Sequence, residues 1–362
     1  MNLELSEELI ALRDTVRAFV SERASVSTFV RPMLDDDTGT TDVVWRGLAD
    51  LGVTGLLVPL EHDGAGMTMV EAGVVAEELG AGLYPGPWLS SAVAAARALT
   101  RFEVPLDVAA PLLTGIADGS TIATVGPLHG PRPAVVNDGL RGAIKGVWDV
   151  ASADVLLVVA DDRNGTGLFA IQPTADGITS TLQAGIDQTR KRFDVTLDDV
   201  TAQRLGSVSH ENLEALVDDV TIAWAADALG AARALLNLVI EYAKVRRQFS
   251  QPIGAFQAVQ HLCVGMYETV ELARSGVIHA LWAADTGDRP ERHAAAMRTK
   301  AFAGRLAAVG DTAIQLFGGI GYTWEHDAHL YLKRLLSWNA FLDGSDRYLV
   351  QLGAEFAAAV LG

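Results

Sequence analysis

Gln315-Leu316-Phe317-Gly318-Gly319-Ile320-Gly321-Tyr322 closes one long alanine-rich helical pattern, and Trp324-Glu325-His326-Asp327 leads into the next. Three glycines within four positions end a helix and bare its backbone. Bare N–H groups approach a phosphate or a carbonyl with no Cβ in the way. By itself such a run is weak evidence, since most such runs are ordinary helix-breaking turns. Its weight comes from a second stretch roughly seventy residues upstream, Arg246-Arg247-Gln248-Phe249-Ser250-Gln251-Pro252-Ile253-Gly254, followed by Phe256-Gln257.

Working outward, the C-terminal part reads as long helices with few prolines. Leu213 to Lys244, Phe256 to Asp285, His293 to Phe317, His326 to Leu336 and Phe341 to Leu361 are the candidates, predicting a four- or five-helix bundle over 209–362. Upstream, between Thr121 and Leu205, short apolar runs alternate with Gly and Pro at roughly ten-residue spacing. They are Ile122–Val125, Ala134–Val136, Val155–Ala160, Leu168–Ile171, Ile178–Leu182 and Phe193–Leu197, and they predict a β-sandwich or barrel over 119–208. The continuous run Val155-Leu156-Leu157-Val158-Val159 suits a central strand. Residues 1–118 read as a first α-helical domain. Leu9, Ile10, Leu12, Val16, Phe19 and Val20 share one face, further helices follow near Val43–Leu51, Ser90–Leu99 and Leu106–Gly115, and Val70–Leu79 is closed by Gly80. The fold class is therefore α+β in the order helical domain, β domain, helical bundle.

Composition narrows the function. The 362 residues carry a formal charge of −17, which argues against nucleic acid and against an anionic membrane surface. The single cysteine, Cys263, excludes an internal disulfide and disfavours a cysteine-rich metal site; in an apolar helical run it reads as a small buried hydrophobe. The acidic start Met1-Asn2-Leu3-Glu4-Leu5-Ser6-Glu7-Glu8 has no signal-peptide pattern, and no run of about twenty apolar residues suggests a membrane span. A cytoplasmic protein is expected.

Arg-x-x-Phe, Pro-Ile-Gly, Phe-Gln and Gln-x-x-Gly-Gly-x-Gly-Tyr together resemble the C-terminal helical domain of the acyl-CoA dehydrogenase family of flavoproteins. Leu57-Val58-Pro59-Leu60-Glu61-His62-Asp63-Gly64-Ala65-Gly66 and Val75-Ala76-Glu77-Glu78-Leu79-Gly80 resemble its N-terminal domain. The resemblance is strong over residues 225–335, fair over 45–85 and poor in the middle. It implies FAD as cofactor, an acyl-CoA thioester as substrate, electron-transfer flavoprotein as acceptor, and a dimer of dimers in which each bundle covers part of a neighbour's FAD. On that resemblance Arg246 pairs with the pyrophosphate, which suits a guanidinium fork. Phe249 packs against the cofactor, Gln257 hydrogen-bonds it, and Gln315, Gly318 and Gly319 approach its adenosine–pyrophosphate region. Ser250 stands where the family usually has Gly.

The cradle for the flavin ring departs further. Where the family has Thr-Glu-Pro, this chain reads Ala123-Thr124-Val125-Gly126-Pro127, and where it has Trp-Ile-Thr-Asn the nearest match is Trp148-Asp149-Val150. Trp148 also reads as an ordinary strand core residue. The family base is usually a Glu-Gly before the last helix; here the place reads Phe341-Leu342-Asp343-Gly344-Ser345. Asp343 is one methylene shorter, and a shortfall of about 1 Å can cost on the order of 100-fold. Asp343 equally reads as a loop or N-cap aspartate. The alternative base position falls on Val220; Asp218 and Asp219 beside it point in other directions, and Thr221 stands where some members have an arginine.

Groups acting on the chain's own flavin are thus altered, while groups lent to a neighbour are kept. That sorting resembles the complementary subunit of a heteromeric α2β2 acyl-CoA dehydrogenase of the kind used in actinobacterial steroid side-chain breakdown. Alternatives are a self-sufficient homotetramer with Asp343 as base, a non-catalytic assembly subunit, and a related flavin oxidase.

Overall fold

Helices α1 (Glu7–Arg23), α2 (Asp42–Asp50), α3 (Met69–Ala81), α4 (Ala96–Arg101) and α5 (Leu106–Ala117) come first in a computed structural model that describes residues 5–361. The first four residues of the acidic N-terminal stretch, and Gly362, lie outside that range. Ser6 caps α1 by accepting from Leu9 N–H at 3.3 Å, and Thr41 caps α2 through Val44 N–H at 3.4 Å. Strands follow: β1 (Ala123–Gly126), β2 (Ala134–Val136), β3 (Gly139–Trp148), β4 (Val155–Asp162), β5 (Gly165–Ile171), β6 (Ile178–Leu182), β7 (Arg192–Val200) and β8 (Gln203–Ser207). The C-terminal part holds α6 (His210–Val245), a short hairpin of β9 (Arg247–Gln248) and β10 (Gln251–Pro252), then α7 (Gln257–Thr286), α8 (Arg289–Ala301), α9 (Ala303–Phe317), α10 (Ala328–Ala340) and α11 (Ser345–Leu361). Helical, β and helical segments thus follow one another in the expected order.

The β strands form one mixed sheet in the order β6-β7-β3-β2-β4-β5-β8, with β1 parallel to β4. Side chains alternate across a strand, so Leu156, Val158 and Ala160 of β4, Phe169 and Ile171 of β5, and Phe193, Val195 and Leu197 of β7 share one buried cluster. Leu157 and Val159 are equally buried, which is why β4 reads as an uninterrupted apolar run. β3 and β8 were not legible beforehand, because Gly139, Gly142 and Gly146 interrupt the one and Gln203-Arg204 opens the other.

The expected helix from His293 to Phe317 is two helices, broken at Phe302, and the last helix begins at Ser345 rather than Phe341. α6 is long and apolar enough to cross a membrane by length and composition, but 78% of that window is buried inside the protein, as in a core helix.

By internal contacts the chain forms two units, a helical unit of Met1–Val26, Gly73–Tyr84 and Thr221–Gly362 and a sheet unit of Ser27–Ala72 and Pro85–Val220. In the helical unit α3 and α6 meet backbone to backbone. A Cβ on Gly80 would lie 2.0 Å from the Asp227 carbonyl oxygen, and one on Gly230 would lie 1.8 Å from that of Glu77. Gly80 is therefore not the helix terminator its position suggests: α3 runs on to Ala81, and Gly80 is there for the close approach. Around this crossing, buried Glu78 accepts from Arg17 Nε and Nη2 at 2.9 Å and from Arg233 Nη2 at 2.7 Å. Arg334 of α10, with no solvent exposure, reaches Asp227 at 2.9 and 3.0 Å and the carbonyls of Leu83 and Tyr84 at 3.3 Å.

A second buried cation, Lys300 of α8, donates to the carbonyls of Trp338 and Asn339 at 2.8 and 2.9 Å. Burial pulls its pKa down from 10.5 to about 7.

Two outcomes follow from these charges. Asp227→Ala leaves Arg334 buried without its counter-charge and is expected to cost about 3–5 kcal/mol, read as a lower urea midpoint. Between about pH 7 and 10.5 the folded chain binds fewer protons at Lys300 than the unfolded chain. This residue's contribution therefore makes stability rise with pH across that window, and Lys300→Met should flatten the slope in denaturation curves taken at several pH values.

Candidate functional site

The two sequence stretches that point to a phosphate-bearing ligand meet in space. α6 ends one residue before Arg246, and Tyr242, one turn earlier, donates its hydroxyl to the Phe317 carbonyl at 3.4 Å. The Tyr242 and Phe317 rings are 5.0 Å apart, and Phe317 also meets His326 at 4.3 Å. This stack seats the end of α6 against the end of α9, where Gly318 takes φ 64 and ψ −142, a conformation open to glycine. A Cβ on Gly318 or Gly319 would meet nothing within 4 Å, so the backbone at the turn is open to an approaching group. Arg246 is exposed and is bound by no carboxylate among the described residues. Gln315 in the last turn of α9 and Gln257 at the start of α7 are exposed as well. Tyr242 was missed as the residue that joins the two stretches; its spacing of one turn from Arg246 was the available signal.

Between β9 and β10 the turn is Phe249-Ser250, with φ 49 and 68. Two-residue hairpin loops favour Asn and Gly because both φ angles are positive. Here neither residue is glycine, and each carries a cost on the order of 1–3 kcal/mol. Arg247 Nη2 steadies the turn by donating to the Ser250 carbonyl at 2.6 Å. The result is an 87% exposed Phe249 ring, set edge-on to Phe256 at 6.1 Å. An exposed guanidinium, a bared glycine backbone, two free amide side chains and an exposed aromatic ring form a donor set that fits a dinucleotide carrying a pyrophosphate.

The counterpart in the sheet unit is closed. The Thr124 hydroxyl donates to the Trp148 carbonyl at 2.7 Å and is 1% exposed as a residue. Asp149, at φ 55, receives the Ser90 hydroxyl at 2.5 Å, and its N–H donates to the Lys191 carbonyl at 2.9 Å. Trp148 is 8% exposed at the end of β3. These polar groups are used within the protein, so Thr124 and Asp149 do not fit the ring of a flavin as donors.

Asp343 sits at the other end of α10 from the Gly318 turn. Thirteen residues of helix separate the two, about 20 Å at 1.5 Å per residue. Its side chain is 65% exposed and ion-paired with Arg347 one turn on. The backbone around it is unusual: Leu342 has φ 50 and ψ 51, Asp343 φ 69 and Gly344 φ 83. The alternative base position is silent. Val220 is 2% exposed, Thr221 is buried, and Asp219 is clamped by the Arg101 guanidinium, with Nη2 at 2.9 Å.

Ser250→Gly should relieve the strained turn. It is expected to slow hydrogen exchange across residues 247–252 and to stabilise the chain by up to about 1 kcal/mol; faster exchange would show that the turn is not strained.

Residues 6–102 match the model described as "Acyl-CoA dehydrogenase, N-terminal domain", and residues 219–357 match "Acyl-CoA dehydrogenase, C-terminal domain". Acyl-CoA dehydrogenase IpdE2 of Mycobacterium tuberculosis is 33% identical over 353 residues, covering 96% of this chain and 97% of that protein. A chain of the Tcur3481-Tcur3483 steroid ACAD superposes with TM-score 0.87 at 29% identity, over 98% of this chain and 99% of that one. A chain of the ChsE4-ChsE5 complex from Mycobacterium tuberculosis superposes with TM-score 0.88 at 26% identity, over 99% of both. The chain belongs to the acyl-CoA dehydrogenase family, whose members are oxidoreductases.

Proposed function

We propose that this chain serves an FAD-dependent acyl-CoA dehydrogenase as one subunit of a heteromeric enzyme, lending its Arg246–Gly318 surface to a neighbour's cofactor. The carrying observation is the contrast between two sets of polar groups. Arg246, Gln257, Gln315 and the Gly318-Gly319 backbone stand open, while Thr124 and Asp149 are consumed by hydrogen bonds within the sheet unit. Relatives that bear the words steroid ACAD, or that are solved as a ChsE4-ChsE5 complex, support both the heteromeric form and an acyl-CoA carrying a steroid side chain. Cytoplasmic location and a tetramer of α2β2 type, with electron-transfer flavoprotein as acceptor, complete the reading.

In this assignment Arg246 would bind the pyrophosphate with its fork, the glycine turn would donate backbone N–H groups, and Phe249 would shield the cofactor from water. Bound flavin supplies two-electron oxidation of the acyl thioester by taking hydride from Cβ. The accompanying proton on Cα needs a carboxylate held close and kept dry. Asp343, exposed and paired with Arg347, lacks that setting within its own chain.

A second reading, a self-sufficient homotetramer with Asp343 as base, is favoured by the two positive φ angles at Leu342 and Asp343, since backbone strain concentrates at working sites. Asp343 would then take the Cα proton and a neighbouring subunit would exclude water.

The deciding measurement is released FAD per chain. The chain purified by itself should hold far less than one equivalent, and the assembly with a second acyl-CoA dehydrogenase subunit should restore it. In that assembly Arg246→Ala should weaken FAD binding by about ten- to a hundredfold, the worth of a charge-assisted hydrogen bond. One FAD per chain with turnover by the single chain would overturn the heteromeric reading, and Asp343→Asn should then abolish desaturation while FAD stays bound.

A further inference from the structure

The turn bearing Asp343 is held in a conformation that its own residues disfavour. Leu342, Asp343 and Gly344 take positive φ in succession, two of them on residues with a Cβ. Such backbone persists only where the surroundings over-determine it. The Asp343–Arg347 ion pair cannot do this, because both side chains are more than half exposed and such pairs contribute little.

What lies beneath the turn can. Phe341 is 7% exposed and packs its ring 4.4 Å from that of Trp224. Ser345, just after the turn, is buried against Gly304, where a Cβ would stand 2.9 Å from the Ser345 Oγ. One turn before Gly304 is Lys300, with no solvent exposure. Its Nζ donates to the carbonyls of Trp338 and Asn339, two of the last three residues of α10, and lies 4.6 Å from the Trp338 ring. Final carbonyls of a helix lack intrahelical partners. Most helices give them to water or to a glycine cap, but here the buried Lys300 Nζ donates to two of them, sharing the Trp338 carbonyl with the Phe341 N–H. The segment from Lys300 to Gly304 thus grips the turn on both sides.

We infer that Lys300 is a positioning residue: by binding the carbonyls of Trp338 and Asn339 it fixes where α10 stops, and so where the Leu342-Asp343-Gly344 turn carries the Asp343 carboxylate. The inference rests on the reading of the chain as an acyl-CoA dehydrogenase only for the meaning of that placement. The grip itself is independent of which subunit supplies the base. Removing the Lys300 donor leaves the Trp338 carbonyl with the Phe341 N–H alone and takes the side-chain donor from the half-buried Asn339 carbonyl, a loss that falls first on the nearest strained backbone.

Hydrogen exchange by mass spectrometry on the full chain tests it, with Lys300→Met, Lys300→Arg, Gly304→Ala and Asp343→Asn compared with wild type. Lys300→Met should speed exchange across residues 341–345 by about tenfold or more and leave α7 and the middle of α9 near wild type. Lys300→Arg, which keeps a cation, should recover much of the protection. Gly304→Ala, which presses on the same turn from Ser345, should loosen it likewise and serves if Lys300→Met does not fold. Asp343→Asn should leave protection intact. Unchanged exchange in Lys300→Met, or an increase spread evenly over the helical unit, would overturn the inference. Equal loosening in Asp343→Asn would transfer the role to the Asp343–Arg347 pair. The base assignment of Asp343 fails separately, on desaturation by Asp343→Asn.

Discussion

The helical unit depends on two helices touching without side chains between them. Gly80 and Gly230 let α3 and α6 approach until the carbonyl oxygens of Asp227 and Glu77 occupy the space where a Cβ would be. Everything charged in this region is arranged around that contact. Because the axes are so close, Glu77 and Glu78 on α3 lie within reach of Arg233 on α6, and Arg274 of α7 joins them at 3.1 Å from Glu77. Asp227, whose backbone is pressed against Gly80, turns its carboxylate to Arg334. A larger residue at either glycine would part the helices, and the fully buried guanidinium of Arg334 would lose the geometry that offsets its desolvation.

The same logic sorts the candidate site into two ends. α10 starts beside the His326–Phe317–Tyr242 stack that seats the Arg246 turn, and it finishes on the carbonyls that Lys300 holds. Anchored near its middle by Arg334, this one helix sets the spacing between the Arg246–Gly318 end and the Asp343 turn. A heteromeric enzyme can use one end and leave the other idle without redesigning the scaffold.

Much of this was readable beforehand. Apolar spacing gave most of the helices to within a few residues, and short apolar runs gave six strands, because burial on one or both faces leaves a direct imprint on sequence. Arg246, Phe249 and the glycine run stood out through their types and order. Other features left no such imprint. β3 is broken by glycines that serve bulges and tight turns, so its alternation is hidden. Gly80 reads as a helix stop because a contact glycine and a cap glycine are the same letter. The helix break at Phe302 has no proline to announce it, only Gly304 two residues on, and Lys300 looks like any surface lysine until α10 is laid over it. The closure of Thr124 on Trp148 depends on two strands meeting, which residue types by themselves do not tell.

Consider finally the order in which these parts can form. Three successive left-handed residues will not assemble by local preference, so the Asp343 turn has no existence as a fragment. Its supports come from distant places in the chain: Trp224 on α6, Lys300 on α8, Gly304 on α9. Contacts so far apart in sequence are made late, after the loops between them have been closed. The turn therefore draws its conformation from three separate helices, and its order reports on the docking of α6, α8 and α9 around it.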